Sequence, residues 1–309
     1  MAICLRDLKN WAYKMHIPVL QEELISYLNP GRNENFIDGT INGGGHARLI
    51  LNRTSPNGKL LGIDWTQELV EELTNQFNAE GYDARVKLVC DNFARLSEIV
   101  HENQFNPVNG ILLDLGFSSW HIEQSGKGFS FLKNERLDMR FNQHNKLDAW
   151  TIVNQWPEEE IGAALRDYGQ ERFWRKISSN IVAERQLNPI NTTHDLTKVI
   201  ERSVPAWYRG QRINASTKTF QAIRIMVNRE LSNLSRVLPQ IIEILAPGGR
   251  IAIISFHELE DRIVKQFLKG EEVEGAVELL TKRPIKASEN EINQNRRARS
   301  ARLRVALKK

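Results

Sequence analysis

Three aspartates and one run of glycines hold the chemistry this sequence could perform. Asp38, Asp64 and Asp114 each close a short apolar run: Phe36-Ile37, Leu60 to Ile63, and Gly110 to Leu113. Between the first two acids stands Gly43-Gly44-Gly45-His46, directly before Ala47 to Leu51, which reads as the start of a helix. Glycine accepts positive φ and lets a ligand come close to the backbone. A strand-turn-helix of this kind aims helix N-terminal N–H groups at whatever binds there. Asp64 falls roughly 20 residues past the glycines, where nucleoside-binding α/β folds hold ribose hydroxyls. One carboxylate can accept from both hydroxyls. A glycine turn alone is equally well a plain tight turn. Three strands that each deliver an acid to one sheet edge are hard to explain by packing, because ligands of open α/β sheets bind at that edge. The pattern points to a nucleoside-type cofactor. The spacing Gly-x-Gly-x-x-Gly is absent, which counts against a nicotinamide-binding oxidoreductase.

The elements that must position these residues alternate. A helix over 21–28 is stopped by Asn29-Pro30-Gly31. From Asn35 to Asp114 strands and helices follow one another, with Val86 to Cys90 as a further strand, which predicts a parallel sheet covered on both faces. A helix over 66–79 presents Leu69, Leu73 and Phe77 on one face, and a shorter one over 92–100 presents Phe93, Leu96 and Val100. After Asp114 the alternation stops. Residues 117–145 form a long irregular stretch whose aromatic content speaks against disorder. A helical block follows. Pro157 precedes three glutamates at a helix start, a second helix runs from about 170 to 187, and Thr192 or Thr193 caps a third that ends before Pro205. From Ser216 a long helical stretch carries Phe220, Ile223, Val227, Leu231 and Leu234 on its apolar face, and Pro239 should kink or divide it. Ile251 to Phe256 then resumes the sheet. The last strand alternates arginines with Leu303 and Val305, which predicts one cationic face. The expected organisation is a domain formed by 1–117 and 216–309, split by a mainly helical insertion over 118–215.

The composition fits that size of fold. With 309 residues, 41% hydrophobic and 26% charged, the chain suits one large or two modest globular domains. A net charge of +4 permits a nucleic-acid partner without requiring one. Two cysteines, Cys4 and Cys90, are too few for a metal cluster or a disulfide framework and suggest a reducing, cytosolic setting. His46 has no acidic or cysteine partner at ligand spacing, so no metal site is expected. No apolar run approaches the ~20 residues of a membrane span, and charge interrupts the first ten residues too early for a signal peptide. Residues 1–15 read as an appended segment.

Several stretches together resemble one family. They are His16-Ile-Pro-Val-Leu20, Asp38-Gly-Thr40 with Gly44-Gly45-His46, and Gly110-Ile-Leu-Leu-Asp-Leu-Gly-Phe-Ser-Ser119. Gly128-Phe-Ser-Phe131 with Leu137-Asp-Met-Arg140, Tyr168-Gly-Gln-Glu-Arg172, and Thr219-Phe-Gln-Ala222 with Val227-Asn228 continue the series. Ala246-Pro-Gly-Gly-Arg250, Ile254-Ser-Phe-His-Glu-Leu-Glu-Asp-Arg262 and Asn295-Arg-Arg-Ala-Arg-Ser-Ala-Arg302 complete it. In this order, from residue 16 to about 306, the sequence resembles the RsmH (MraW) family of bacterial 16S rRNA (cytosine-N4) methyltransferases. Methyltransferases in general share the glycine turn but not the Phe-Ser-Phe to Leu-Asp-Met-Arg loop. The resemblance implies an α/β fold, the Rossmann-like class I SAM-dependent methyltransferase with a mostly parallel seven-stranded sheet, and an inserted helical domain that recognises substrate. It implies S-adenosyl-L-methionine as cofactor, 16S rRNA in the small ribosomal subunit as partner, a cytoplasmic setting, no membrane, and room for a homodimer.

The family's cofactor contacts fall here on Gly44, Gly45, His46, Asp64, Phe93 and Asp114. One more follows the double serine, where members carry Pro-Gln and this chain has Trp120-His121, so by spacing it falls on His121. Phe93 would lie against adenine, with Asp91 and Asn92 near its edge. Asp114 is the candidate catalytic residue. A cytosine amine is a poor nucleophile because its lone pair is delocalised into the ring. Acceptors for its hydrogens, Asp114 or the nearby Ser118 and Ser119, would localise that pair and aim it at the methyl group. A pure cofactor contact is the alternative role for Asp114. Trp120, Phe129 and Phe131 could stack on a flipped-out base or simply pin their loop to the core. Arg172, Arg175, Lys176, Arg185, Arg209 and Arg212, with Arg296, Arg297, Arg299 and Lys308, could meet phosphates or form solvated faces. Two other readings stay open: the same chemistry on a small molecule or protein, and a non-catalytic RNA-binding protein that keeps the fold.

Overall fold

Short apolar runs between glycine turns do become strands. The computed structural model of the chain describes residues 18–116, 119–123, 125–211 and 213–309. The segment 1–15, His16, Ser118 and Arg212 lie outside the described residues. The first strands are β1 (Phe36–Asp38), β2 (Leu60–Asp64), β3 (Val86–Cys90) and β4 (Val108–Asp114). Every residue of β1 and β2 is buried, as strands covered on both faces must be. After an intervening unit come β5 (Leu245–Ser255), β6 (Val277–Leu279) and β7 (Arg302–Lys308). The sheet order is β3-β2-β1-β4-β5-β7-β6. Pairs among β1 to β5 are parallel, while β7 runs antiparallel to both β5 and β6. This is the mostly parallel, seven-stranded, Rossmann-like sheet that the resemblance implies. Strand order reverses between β1 and β4, and the crevice at such a switch point is where open α/β sheets bind ligands.

The chain divides into two compact units, Met1–Ser118 with Leu231–Lys309, and Ser119–Glu230. The first unit's core gathers Ile37, Leu61, Ile63 and Ile111 from the sheet with Leu96, Ile99, Val237 and Ile241 from its helices. Its last strand differs from the expected cationic face. Arg304 is buried and paired with Asp261 through two contacts, Nε to Oδ1 at 2.7 Å and Nη2 to Oδ2 at 3.1 Å. Lys308 Nζ donates to the carbonyls of Ile242 and Leu245, both at 2.6 Å. Burying a charge demands such partners, so these cations tie β7 to the elements beside it.

The second unit is mainly helical, with helices Ala149–Gln155, Glu158–Asp167, Trp174–Leu187, Thr193–Ser203 and Ser216–Asn228 among its described residues. Its own core includes Leu137, Ile161, Leu165, Ile177, Leu196 and Ile200. The helix from Ser216 belongs here and not, as its position suggested, to the first unit. Phe220, Ala222, Ile223 and Val227 are buried in the second core. The long helical stretch is broken at Arg229, which takes a left-handed φ of 51°, and not at Pro239, which lies inside the following helix Glu230–Ile244. The break is tertiary in origin. Buried Asn228 donates to the carbonyls of Met139 and Arg224 and accepts from the Phe141 N–H.

A carboxylate rim as the candidate active site

The carboxyl ends of β1, β2 and β4 deliver Asp38, Asp64 and Asp114, all three buried. A short network joins the first and last. The Thr40 N–H donates to Asp38 Oδ1 at 3.2 Å, and Thr40 Oγ1 accepts from the Asp114 N–H at 2.5 Å. Asn42 Nδ2 donates to the Asp114 carbonyl at 3.2 Å. The Thr66 N–H donates to Asp64 Oδ1 at 2.8 Å, and the backbone N–H groups of Asn42 and Trp65 also reach that carboxylate. One turn residue, Asn42, therefore ties Asp114 to Asp64.

Gathering acids in a dry crevice shifts their titration. Burial pushes Asp64 up to about 6 against the pull of its hydrogen bonds. Burial, with the Asp64 charge adding to it, pushes Asp38 up to about 7 despite the Thr40 bond. Asp114 is held well above the usual carboxylate range by burial, then by the charges of Asp38 and Glu260. Glu260 owes its place to a helix cap, accepting from the N–H groups of Phe256 and His257 at 2.9 and 3.3 Å. Burial thus favours the protonated acids, and a bound cation would favour their ionised forms.

The glycine turn opens helix Gly45–Arg53, two residues ahead of the expected Ala47. Gly44 is the N-cap at φ 71°, and a Cβ there would lie 2.8 Å from Arg48 Nη1 and 3.0 Å from Phe77 Cζ. A Cβ on Gly45 would meet Pro18 Cγ at 2.6 Å. Packing of the chain on itself is therefore sufficient reason for both glycines. The cap offers no side-chain acceptor and the first turn holds no acid, so this helix end suits an anionic ligand group. His46 is buried, and its Nε2 lies 3.6 Å from Asp114 Oδ2. Asp114 Oδ1, also buried, has no hydrogen-bond partner among the described residues. Phe93 begins a 3-10 turn that Asn92 caps by accepting from the Ala94 N–H. It sits beside the Asp38-Gly39 turn, its Cβ 3.8 Å from where a Gly39 Cβ would be. Asp91 is committed elsewhere, to Arg95 at 2.6 Å.

Six of the expected site residues thus lie along the first unit's sheet edge: Gly44, Gly45, His46, Asp64, Phe93 and Asp114. The network adds Asp38, Thr40, Asn42 and Glu260. Asp38 was visible as the first acid of the series. Glu260 gave no such signal, because it reaches the rim from a helix far along the chain. The residues fit a nucleoside that bears a positive charge: Asp64 at the strand end where ribose hydroxyls are held, a helix N-terminus without a side-chain cap for an anion, an orphaned Asp114 oxygen, and buried acids whose ionised forms a cation would favour.

His121 belongs to the second unit, where its ring meets Phe129 and Phe141 edge-on at 5.1 and 4.9 Å. Burial, with Lys127 and Arg224 nearby, pushes it down to about 3, so it stays neutral. Phe129 stacks on Phe141 at 5.3 Å, and Phe131 packs edge-on against Phe220 at 5.5 Å, so both pin their loop to the core. Arg185 donates to the Val153 carbonyl at 2.9 Å and is likewise structural. Arg172, Arg175, Lys176 and Arg209 are exposed.

Residues 13–309 match the model of the MraW methylase family. Curated relatives include "Ribosomal RNA small subunit methyltransferase H" of Syntrophotalea carbinolica, 42% identical over 94% of this chain and 96% of that one. The protein of the same name from Desulfotalea psychrophila is 39% identical over 96% of this chain and 99% of its own length. That of Coprothermobacter proteolyticus is 42% identical over 95% and 96%.

Proposed function

This chain belongs to the MraW methylase family, and we propose that it methylates the N4 amine of a cytosine in the decoding region of 16S rRNA, with S-adenosylmethionine as methyl donor. The observation that carries the reading is the set of three buried carboxylates around an uncapped glycine turn. The donor supplies an activated methyl group on a positively charged sulfur. Asp64 accepts from its ribose hydroxyls, Phe93 lies against the adenine, and Gly44, Gly45 and His46 present the turn to its amino-acid end. For His121 as a donor contact, the support is the resemblance alone.

Asp114 serves donor and target together. Its free Oδ1 accepts a hydrogen of the base amine, which localises the lone pair on nitrogen and aims it at the methyl group. As the nitrogen–methyl bond would form and the sulfur–methyl bond break, leaving a neutral thioether, the nitrogen would gain positive charge and have to shed a proton. A carboxylate whose pKa is raised by burial is a better acceptor for it than an ordinary one. His46 Nε2 stands 3.6 Å from Oδ2, beside that carboxylate. Asp114→Ala should lower turnover at saturating donor by at least about 100-fold. Lost donor affinity with full turnover would leave Asp114 a donor contact only.

The second unit recognises the RNA and the protein works in the cytoplasm; for a homodimer the support is the resemblance alone. Its thiol Cys90 is free, and no helix among the described residues is long and apolar enough to cross a membrane. Incubating the protein with labelled donor and undermethylated small-subunit particles, then mapping the product, tests the whole reading. Label on one cytosine N4 is expected. Label on protein or small molecules alone would overturn it.

A further inference from the structure

The second unit carries an aromatic surface that its own core does not need. In the short helix Ala206–Arg209, Trp207 keeps 54% of its surface exposed while the next residue, Tyr208, is buried. The indole is held by a rigid frame. The Tyr208 hydroxyl donates to both Glu171 carboxylate oxygens, at 2.9 and 3.1 Å, and Glu171 Oε1 also accepts the Phe173 N–H at 2.8 Å. One buried carboxylate thus fixes the two rings that meet Trp207 edge-on, Phe173 at 5.9 Å and Tyr208 at 5.8 Å. The Arg172 guanidinium lies 5.6 Å from the Trp207 ring centre and 5.7 Å from that of Phe173.

Four exposed cations stand close in sequence to this frame. Arg172, Arg175, Lys176 and Arg209 are exposed, and none of them makes an ion pair among the described residues, whereas Arg166 pairs with Asp167 and Arg202 with Glu184. The sequence from Ser203 to Arg229 contains no acid. An exposed, preoriented indole beside a guanidinium, with further exposed cations a few residues along the same segments, one of them (Arg175) lying 4.2 Å over the Trp174 ring, suits single-stranded RNA. Bases stack on flat aromatic and guanidinium surfaces without regard to sequence, and cations meet the phosphates. We propose that Trp207, with Arg172, stacks an unpaired nucleobase of the substrate RNA while Arg175, Lys176 and Arg209 contact its phosphates. The inference rests on the rRNA reading above and adds a binding contact that acts on substrate affinity and not on methyl transfer.

The test is methyl transfer by the full chain to undermethylated small-subunit particles at varied particle concentration. Trp207→Ala should raise KM about 5- to 150-fold, the worth of one base stack, with kcat and donor affinity unchanged. Trp207→Phe should stay within about threefold of the parent, because a ring remains to stack on. The exposed pair Arg175→Glu and Lys176→Glu should raise KM and flatten its salt dependence, and it decides the matter should Trp207→Ala fail to fold. An unchanged KM in Trp207→Ala, or in the charge-reversed pair, would overturn the proposal. So would a dimer that falls apart in Trp207→Ala while KM holds, since the surface would then belong to a second copy. Parent protein that leaves the particles unmethylated would sink the rRNA reading instead, a result visible before any variant is made.

Discussion

Asp38, Asp64 and Asp114 share one crevice, and their burial there is what makes the site respond to pH. Asp64 titrates near 6 and Asp38 near 7, both lifted by burial, so between those values part of the rim is protonated. A sulfonium ligand favours the ionised forms. Donor affinity should therefore rise as pH goes from 5.5 to 8, with net proton release on binding below about 7. Calorimetry in two buffers of different ionisation enthalpy reads that release, and its absence would contradict the charge argument. Stability runs the other way. Folding raises the Asp38 pKa, so the folded chain holds the proton more tightly than the unfolded chain does. That contribution is fully present below about 4 and is lost as pH rises through about 7. Asp38→Asn should remove it, flattening the fall in Tm between pH 5 and 8. The scale is on the order of 4 kcal/mol at most. The acids were legible in the sequence because each ends a strand. The meeting of His46 with Asp114 was not, since the path of the turn makes it.

At the scale of elements, the turn at Gly44 illustrates what a local pattern can and cannot reveal. The three glycines announced a tight turn, and Gly44 does take positive φ, but the helix begins at Gly45 and its packing against Arg48, Phe77 and Pro18 is tertiary. Gly44→Ala should cost about 1–2 kcal/mol for the backbone alone, and more from the close contacts, as a lowered midpoint in urea denaturation. An unchanged midpoint would mean that the turn yields. Strands β1 to β4 were readable because continuous apolar runs between turn residues have few other solutions. Helix boundaries in the second unit were less so. The helix expected from Gln170 begins at Trp174, because Gln170 takes φ 49° and Glu171 turns its carboxylate onto the Phe173 N–H. Helix Ala149–Gln155, capped by Asp148, is too short to show a periodic face. Arg229 breaks a helix where Pro239 offered the obvious stop, because Asn228 spends its amide on distant partners.

At the scale of the molecule, two hydrophobic cores define two units, and the residues at the sheet edge all come from the first. The second unit extends past residue 215 to Glu230, and a helix gives no sign in its own sequence of which core its apolar face joins. Ile223, buried in the second core, makes that point measurable: Ile223→Ala should destabilise the protein by about 2–5 kcal/mol in chemical denaturation. A cost below 1 kcal/mol would mean the helix is not committed to that core. The claim on which the rest depends is that the first unit's acid-lined edge binds the methyl donor. Titrating S-adenosylmethionine calorimetrically into the parent chain and into Asp64→Ala tests it most directly. One donor per chain should bind the parent, and the variant should bind about 100-fold more weakly, having lost a charged acceptor for two hydroxyls. A parent that takes up no donor, or a variant that binds it equally well, would contradict the account.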